Sequence, residues 1–263
     1  MILRPVNKSW HEEWAMVYLH IQELKMEDIS LFGANLYRNG FMKYEIDENG
    51  KEILIDSTGY QVMMEWEKPY MEALIDHLNP SGNVLEIGFG LGYSANQIQK
   101  HNIDTHTIIE DNPVVLEKLY LWAQNQKHKV IIVEGTWQDQ LKNLGKFDSI
   151  FFDDAPNSKH EDKDGLRGTY FYNQVLKSHV NPGCRMSFYS VHPTYWISNS
   201  FVNWSCAEYK INIPENAKYV KEYSKNNKTV YLPLVVFTKG VVEGIIPYVV
   251  DKNHKFGILS VLQ

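Results

Sequence analysis

Apolar positions change their period along this chain. Trp10, Trp14, Val17, Ile21 and Leu24 recur at helical spacing behind Ser9-Trp10-His11-Glu12. Ser9 can cap that turn and Glu12 can reach back, so a helix to about Met26 is expected. The period then shortens to two. Phe41 to Ile46 and Glu52 to Ile55 alternate around Asn49-Gly50, which predicts a hairpin whose two turn residues both take positive φ. From Asn83 onward short apolar runs alternate with helical segments. Strands are expected at Val84–Ile87, Thr107–Glu110, Val130–Val133, Ser149–Phe152 and, behind a Pro182-Gly183 turn, Met186–Tyr189. Helices are expected from the glycine-rich turn after Ile87 to Lys100 and from Val114 to Gln126. This alternation predicts βαβ units: an α/β fold with a mainly parallel sheet, helices on both faces, and an N-terminal helix–hairpin extension. Thr229 to Thr238 reads as a late strand, and two apolar runs around Lys252-Asn253 read as an added hairpin or an oligomer contact. The expected division is residues 1–60 as a cover, 61–240 as the main domain and 241–263 as an extension.

Composition narrows the classes. With 44% hydrophobic and 22% charged residues, a chain of 263 residues can bury a sizeable core. Twenty-six basic against 32 acidic residues leave a net charge of −6, which argues against a nucleic-acid partner held by phosphate neutralisation. The two cysteines, Cys184 and Cys206, form neither a disulfide framework nor a zinc motif, and the ten histidines show no metal-ligand spacing. No long apolar run follows Met1 to Lys8, and no stretch is long enough to span a membrane, so a cytoplasmic protein is expected.

The chemistry begins at Glu86-Ile87-Gly88-Phe89-Gly90-Leu91-Gly92-Tyr93, where the first strand of the main domain turns into a helix. Glycines there let backbone bend tightly and approach a ligand. A dinucleotide fingerprint needs a third glycine where Tyr93 stands, so that pattern fails. S-adenosylmethionine (SAM) fits better: Glu86 is suited to its ammonium, and Glu110, 20 residues after Gly90 at the next strand end, to its ribose hydroxyls.

Several segments resemble guanidinoacetate N-methyltransferase and its relatives, including the fungal arginine δ-N-methyltransferases. Val62 to Met71 matches the family's V-M-x-x-W-E-x-P-Y-M at seven positions. Val84 to Gly90 is similar to V-L-E-V-G-F-G, Ile108 to Asn112 to I-I-E-C-N, His128 to Ile131 to H-K-V-I, and Gly135 to Asp139 to G-L-W-E-D. Phe147 to Asp153 resembles F-D-G-I-L-Y-D, and Phe237 to Gly240 resembles V-T-K-G. The likeness covers about Val62 to Ser190 well, continues loosely to Gly240 and hardly touches the first sixty residues. It implies a Rossmann-like class I methyltransferase fold, SAM as cofactor and a guanidino substrate. Site residues carry over by position. Glu67 and Asp153 would grip the guanidinium and accept its proton, with Asp154 competing for the second role. Met63 and Met71 would line the methyl region, Glu110 with Asp111 and Asn112 the ribose side, and Thr136 with Trp137 the adenine.

Chemistry makes the carboxylate pair reasonable. A guanidinium has a pKa above about 12 and is a poor nucleophile until a proton leaves. Two carboxylates from separate elements can fix its plane by charge-assisted hydrogen bonds and take that proton. The likeness breaks where the family reads the carboxylate of guanidinoacetate with a T-S pair. Here His192-Pro193 stands in that place, and proline has no N–H to donate. The loop Asn157 to Gly168 is also long and polar. The expectation is therefore a retained guanidinium end with a changed far end, His192 facing the rest of a small-molecule or peptide substrate. Two alternatives stand beside it: methylation of a non-guanidino compound, and SAM binding without catalysis. The N-terminal hairpin and the tail offer apolar strands for pairing between subunits.

Overall fold

The computed structural model describes residues 42–56, 59, 61–154, 171–172, 174–175, 178–191, 202–217 and 228–239. The expected N-terminal helix, the Asn157–Gly168 loop, His192 and the C-terminal runs lie outside these residues. The chain divides into two compact units, Met1–Phe41 and Met42–Gln263, and every described residue belongs to the second.

That unit opens with the expected hairpin: β1 (Lys43–Ile46) pairs antiparallel with β2 (Glu52–Ile55), and β3 (Gln61–Met63) extends it to three strands. Its turn differs from the sequence expectation. Gly50 has positive φ but Asn49 does not, and the loop is closed by the Asp47 carboxylate, which accepts the N–H groups of Asn49 and Lys51 at 2.8 Å each. An Asp two residues upstream can make this local bond, so the turn needs only one left-handed residue.

The main sheet has the order β6-β5-β4-β7-β8-β10-β9. Strands β4 (Gly82–Ile87), β5 (Ile103–Glu110), β6 (Lys129–Glu134), β7 (Phe147–Phe152) and β8 (Val180–Phe188) run parallel, while β10 (Thr229–Phe237) is antiparallel to β8 and to β9 (Val202–Lys210). Helix α1 (Lys68–Leu78) leads into β4, and α2 (Tyr93–Ile98), α3 (Pro113–Ala123) and the single turn α4 (Trp137–Gln140) follow β4, β5 and β6 in turn. Strand order reverses between β4 and β7, and the carboxyl edge at such a switch point is where α/β sheets bind ligands. Pro182-Gly183, expected to be a turn, lies inside β8: Phe147 pairs with Val180 but Ser149 with Arg185, so extra residues bulge out of the strand there.

Side chains alternate through the sheet into two cores. Phe151 joins Tyr70, Leu74, Phe89 and the hairpin's Ile53 and Leu54 on one face. Its neighbours Ile150 and Phe152 join Leu85, Ile87, Phe171, Met186 and Phe188 on the other. Helix α1 turns Tyr70, Met71, Leu74, Ile75 and Leu78 inward at helical spacing and carries Pro69 in its first turn, where a missing N–H costs no intrahelical bond. Among the described residues no helix is long and apolar enough to cross a membrane.

Candidate active site

Strand β4 ends at Ile87, and the three glycines that follow all take positive φ: +81° at Gly88, +54° at Gly90 and +75° at Gly92. A side chain on Gly88 would collide with the Asp153 carbonyl oxygen, and one on Gly90 would meet Met63 Cε at 2.9 Å. The turn is therefore a close crossing of backbone that only glycine permits. It is held from two sides. The Glu110 carboxylate accepts the Phe89 N–H at 2.9 Å together with those of Asp111 at 3.0 Å and Asn112 at 2.9 Å. Met63 Sδ faces the Leu91 N–H at 3.3 Å, and the Tyr44 hydroxyl of β1 donates to the Gly90 carbonyl at 2.9 Å. Burial pushes the Glu110 carboxyl up to about 7, with the backbone N–H groups opposing the rise.

Beside this turn a cleft opens, lined by Ile87, Gly88, Ile109, Glu110, Asp111, Gly135, Thr136, Trp137 and Asp154. It lies where the ends of β4, β5, β6 and β7 come together, as the sheet order requires. Thr136 caps α4 by accepting the Asp139 N–H, and Asn112 caps α3 by accepting the Val114 N–H at 3.1 Å. The Trp137 indole donates to Asp154 Oδ2 at 2.6 Å and packs edge-on to Phe152 and Phe171. Of the two adjacent acids, Asp154 is thus the one on this cleft. Asp153 is half-buried, one residue beyond the Ile87–Phe152 register pair, and its N–H donates to the Ile87 carbonyl at 3.1 Å.

Two of the expected site residues are enclosed. Glu86, expected at the SAM ammonium, is fully enclosed beneath the turn: Ser94 donates to one oxygen and His106 Nε2 lies 2.7 Å from the other. Gln99 lies 3.3 Å from His106 Nδ1 and accepts the His128 N–H at 2.9 Å, which places the His106 proton on Nε2. Strand alternation is the reason, because Glu86 points to the opposite face from Leu85 and Ile87, under α2. Met71, expected beside the methyl group, exposes none of its surface and sits on the inward stripe of α1.

The Glu67 end is built by the segment that starts at β3. After Met63 touches the glycine turn, Glu65–Glu67 form a single 3-10 turn that leads into α1. Glu67 is only 2% exposed. Its Oε2 accepts the Met64 N–H at 2.8 Å and the Gln61 amide at 3.1 Å, and its Oε1 accepts the Tyr189 hydroxyl at 3.0 Å. Gln61 itself is buried, and its Oε1 has no partner among the described residues. The amide orientation follows from the carboxylate, which accepts only from the nitrogen side. Tyr93, first in α2, has its hydroxyl pKa raised by burial and then by the carboxylates of Glu65, Glu52, Glu67 and Asp47, so this helix start borders the same region. Sequence reasoning passed over Tyr44, Gln61 and Tyr189. Tyr44 and Tyr189 stood on expected strands, but nothing local names a partner that is 46 or 122 residues away.

A doubly wound sheet with a Gly-x-Gly-x-Gly turn at its switch point and an acid closing the next strand defines the class I methyltransferase type of α/β chain. Residues 34–191 match the family model for guanidinoacetate N-methyltransferase, and the chain belongs to that family. Among curated relatives, it is 31% identical over 179 residues to protein arginine N-methyltransferase 2 of Candida glabrata, covering 65% of this chain and 41% of that protein. To the protein of the same name from Saccharomyces cerevisiae it is 34% identical over 119 residues, 43% of this chain and 29% of that one. The chain thus spans less than half the length of these relatives. Among solved structures, spermidine synthase from Thermotoga maritima shares the fold with a TM-score of 0.50 at 15% identity, over 76% of this chain and 70% of that one.

Proposed function

We propose that this protein is a SAM-dependent N-methyltransferase acting on a guanidino group, in arginine, an arginine derivative or arginine within a peptide. The observation that carries the reading is Glu67: a buried carboxylate in the W-E-x-P-Y-M segment, held by three hydrogen-bond donors from three different positions. Family membership and relatives named as arginine N-methyltransferases support the same substrate class.

The residues present fit SAM. The glycine turn gives close backbone approach, Glu110 offers an acceptor for ribose hydroxyls, and Asp111, Thr136 and Trp137 line the cleft beyond it. Met63, against Gly90, gives an apolar neighbour between that turn and Glu67. SAM supplies the electrophilic methyl group. The chain's part is to orient the guanidinium and remove its proton. Glu67 and Asp153, delivered by separate elements, grip the cation, and one of them takes the proton as the N–C bond forms. Gln61 Oε1, buried beside Glu67 with no donor among the described residues, offers the planar cation one further acceptor. Holding the nitrogen in line with the methyl supplies several kcal/mol as prepaid entropy.

The test is a mass-spectrometric screen of the purified protein with SAM against arginine, guanidinoacetate, agmatine, canavanine, arginine peptides and non-guanidino amines. Methyl gain confined to guanidino compounds, lost in Glu67→Gln and Asp153→Asn while SAM still binds, is the expected result. Methylation of amines only, or of nothing with SAM bound, overturns the proposal.

A further inference from the structure

Two tyrosines cross in opposite directions between the start of α1 and the end of β8. From α1, the Tyr70 hydroxyl lies 3.0 Å from the Ser190 carbonyl and 2.6 Å from the Tyr231 carbonyl, and accepts the Ser190 N–H at 3.1 Å. From the strand end, the Tyr189 hydroxyl donates to Glu67 Oε1 at 3.0 Å. The two rings meet edge to face, with centroids 5.3 Å apart and planes at 75°. Tyr189 has a second tie. Its backbone N–H donates to the Phe152 carbonyl at 3.3 Å, and the residue after Phe152 is Asp153. One side chain and its own backbone therefore bond to Glu67 and to the strand end that delivers Asp153.

The donor inventory shows what the hydroxyl does. A carboxylate offers about four lone-pair sites. Met64 and Gln61 both bond to Oε2, so Tyr189 supplies the one donor given to Oε1 among the described residues. The last torsion of a glutamate side chain is broad and weakly staggered. Oε2 alone does not fix where the remaining lone pair of Oε1 points.

We propose that Tyr189 is a positioning residue for guanidino methylation: its hydroxyl sets the direction of Glu67 Oε1 while its backbone registers Asp153, so the two carboxylates meet the planar cation at a fixed spacing. The inference rests on the guanidino reading above. It assigns Tyr189 no contact with the reacting atoms. Misplacement by about 1 Å can cost on the order of a hundredfold in rate, so a hydrogen bond that only orients can matter kinetically.

Tyr189→Phe keeps the ring, its packing on Tyr70 and the backbone bond, and deletes only the hydroxyl. The expected result is a fall in kcat of about tenfold or more, with SAM affinity within about twofold of the parent. A cycle with Glu67→Gln separates positioning from bulk structure: once Glu67 is neutral, removing the hydroxyl should cost little further rate. An unchanged kcat in Tyr189→Phe overturns the inference, as does a loss confined to melting temperature, or full additivity in the cycle. Should Glu67→Gln itself keep full methylation of guanidino compounds, the carboxylate grip fails and this inference falls with it. Loss in Glu67→Gln with a silent Tyr189→Phe removes only the positioning role.

Discussion

Glu110 is the residue whose environment makes the sharpest demand on conditions. Its carboxyl is raised from 4.5 to about 7, first by burial, against three backbone N–H groups that favour the ionised form. The sign follows from which state holds the proton more tightly. In the ligand-free protein the group's stability contribution is fully present below pH 4.5 and is lost as pH rises through about 7. SAM binding should run the other way, because ribose hydroxyls need an ionised acceptor. Calorimetric titration should find SAM about tenfold weaker at pH 6 than at pH 8 if this one group governs the change. A flat profile would mean that Glu110 does not hold the ribose. The place of Glu110 against the glycine turn was legible in sequence, because an acid closing a strand beside such a turn has few other places to go. Glu86 was not, since Ser94 and His106 stand eight and 20 residues further on and come under it only through the helix and the strand pairing. The full burial of Met71 was hidden for a related reason: in an inward helical stripe, a methionine beside a cleft and one in the core look alike in sequence.

At the scale of elements, the hairpin shows what period-two alternation reveals and what it hides. Alternation located β1 and β2, but not that β1 sits against the glycine turn, where Tyr44 bonds the Gly90 carbonyl and Lys118 of α3 lies over its ring at 4.3 Å. Lys118 also bonds Glu52 of β2, so the hairpin is fastened to the helix as well as to the turn. Tyr44→Phe should therefore weaken SAM binding by a few-fold, the worth of about one neutral hydrogen bond, while the melting temperature stays within a few degrees. Fluorescence titration and thermal unfolding on the same preparation check both halves. Equal affinity would make the hairpin packing alone. Strand β9 was missed because its alternation is polar and solvated, with Asn203, Ser205, Ala207 and Glu208 exposed or half-buried, and only its nine-residue ladder with β10 makes it a strand. The β8 bulge was misread for a physical reason too. Pro182-Gly183 has turn chemistry, yet a strand between two neighbours can absorb it by looping residues out of the ladder.

Across the whole molecule, the sheet divides the labour. Strands β4, β5 and β6 end at the glycine turn, Glu110 and Thr136, while β7, β8 and the segment entering α1 deliver Asp153, Tyr189 and Glu67. Local pattern identified both edges, but what joins them is long-range. Tyr70 is the clearest case, because one hydroxyl of α1 reaches Ser190 and Tyr231, 120 and 161 residues away. It is fully buried, so removing it leaves the Ser190 N–H without that acceptor in a place that water reaches poorly. An orphaned buried donor costs about 1–3 kcal/mol, far more than an exposed bond would. For a domain of this size, about 2 kcal/mol lowers the melting temperature by roughly 4–8 °C. Tyr70→Phe should show that drop by calorimetry with kcat close to the parent's, whereas Tyr189→Phe, which leaves the buried Glu67 Oε1 without its donor, should lose rate as well as stability. Two tyrosines of one clasp would then separate by kcat, Tyr70 carrying stability alone and Tyr189 carrying rate as well. A melting temperature equal to the parent's in Tyr70→Phe would place Tyr70 outside the load that joins α1 to β10.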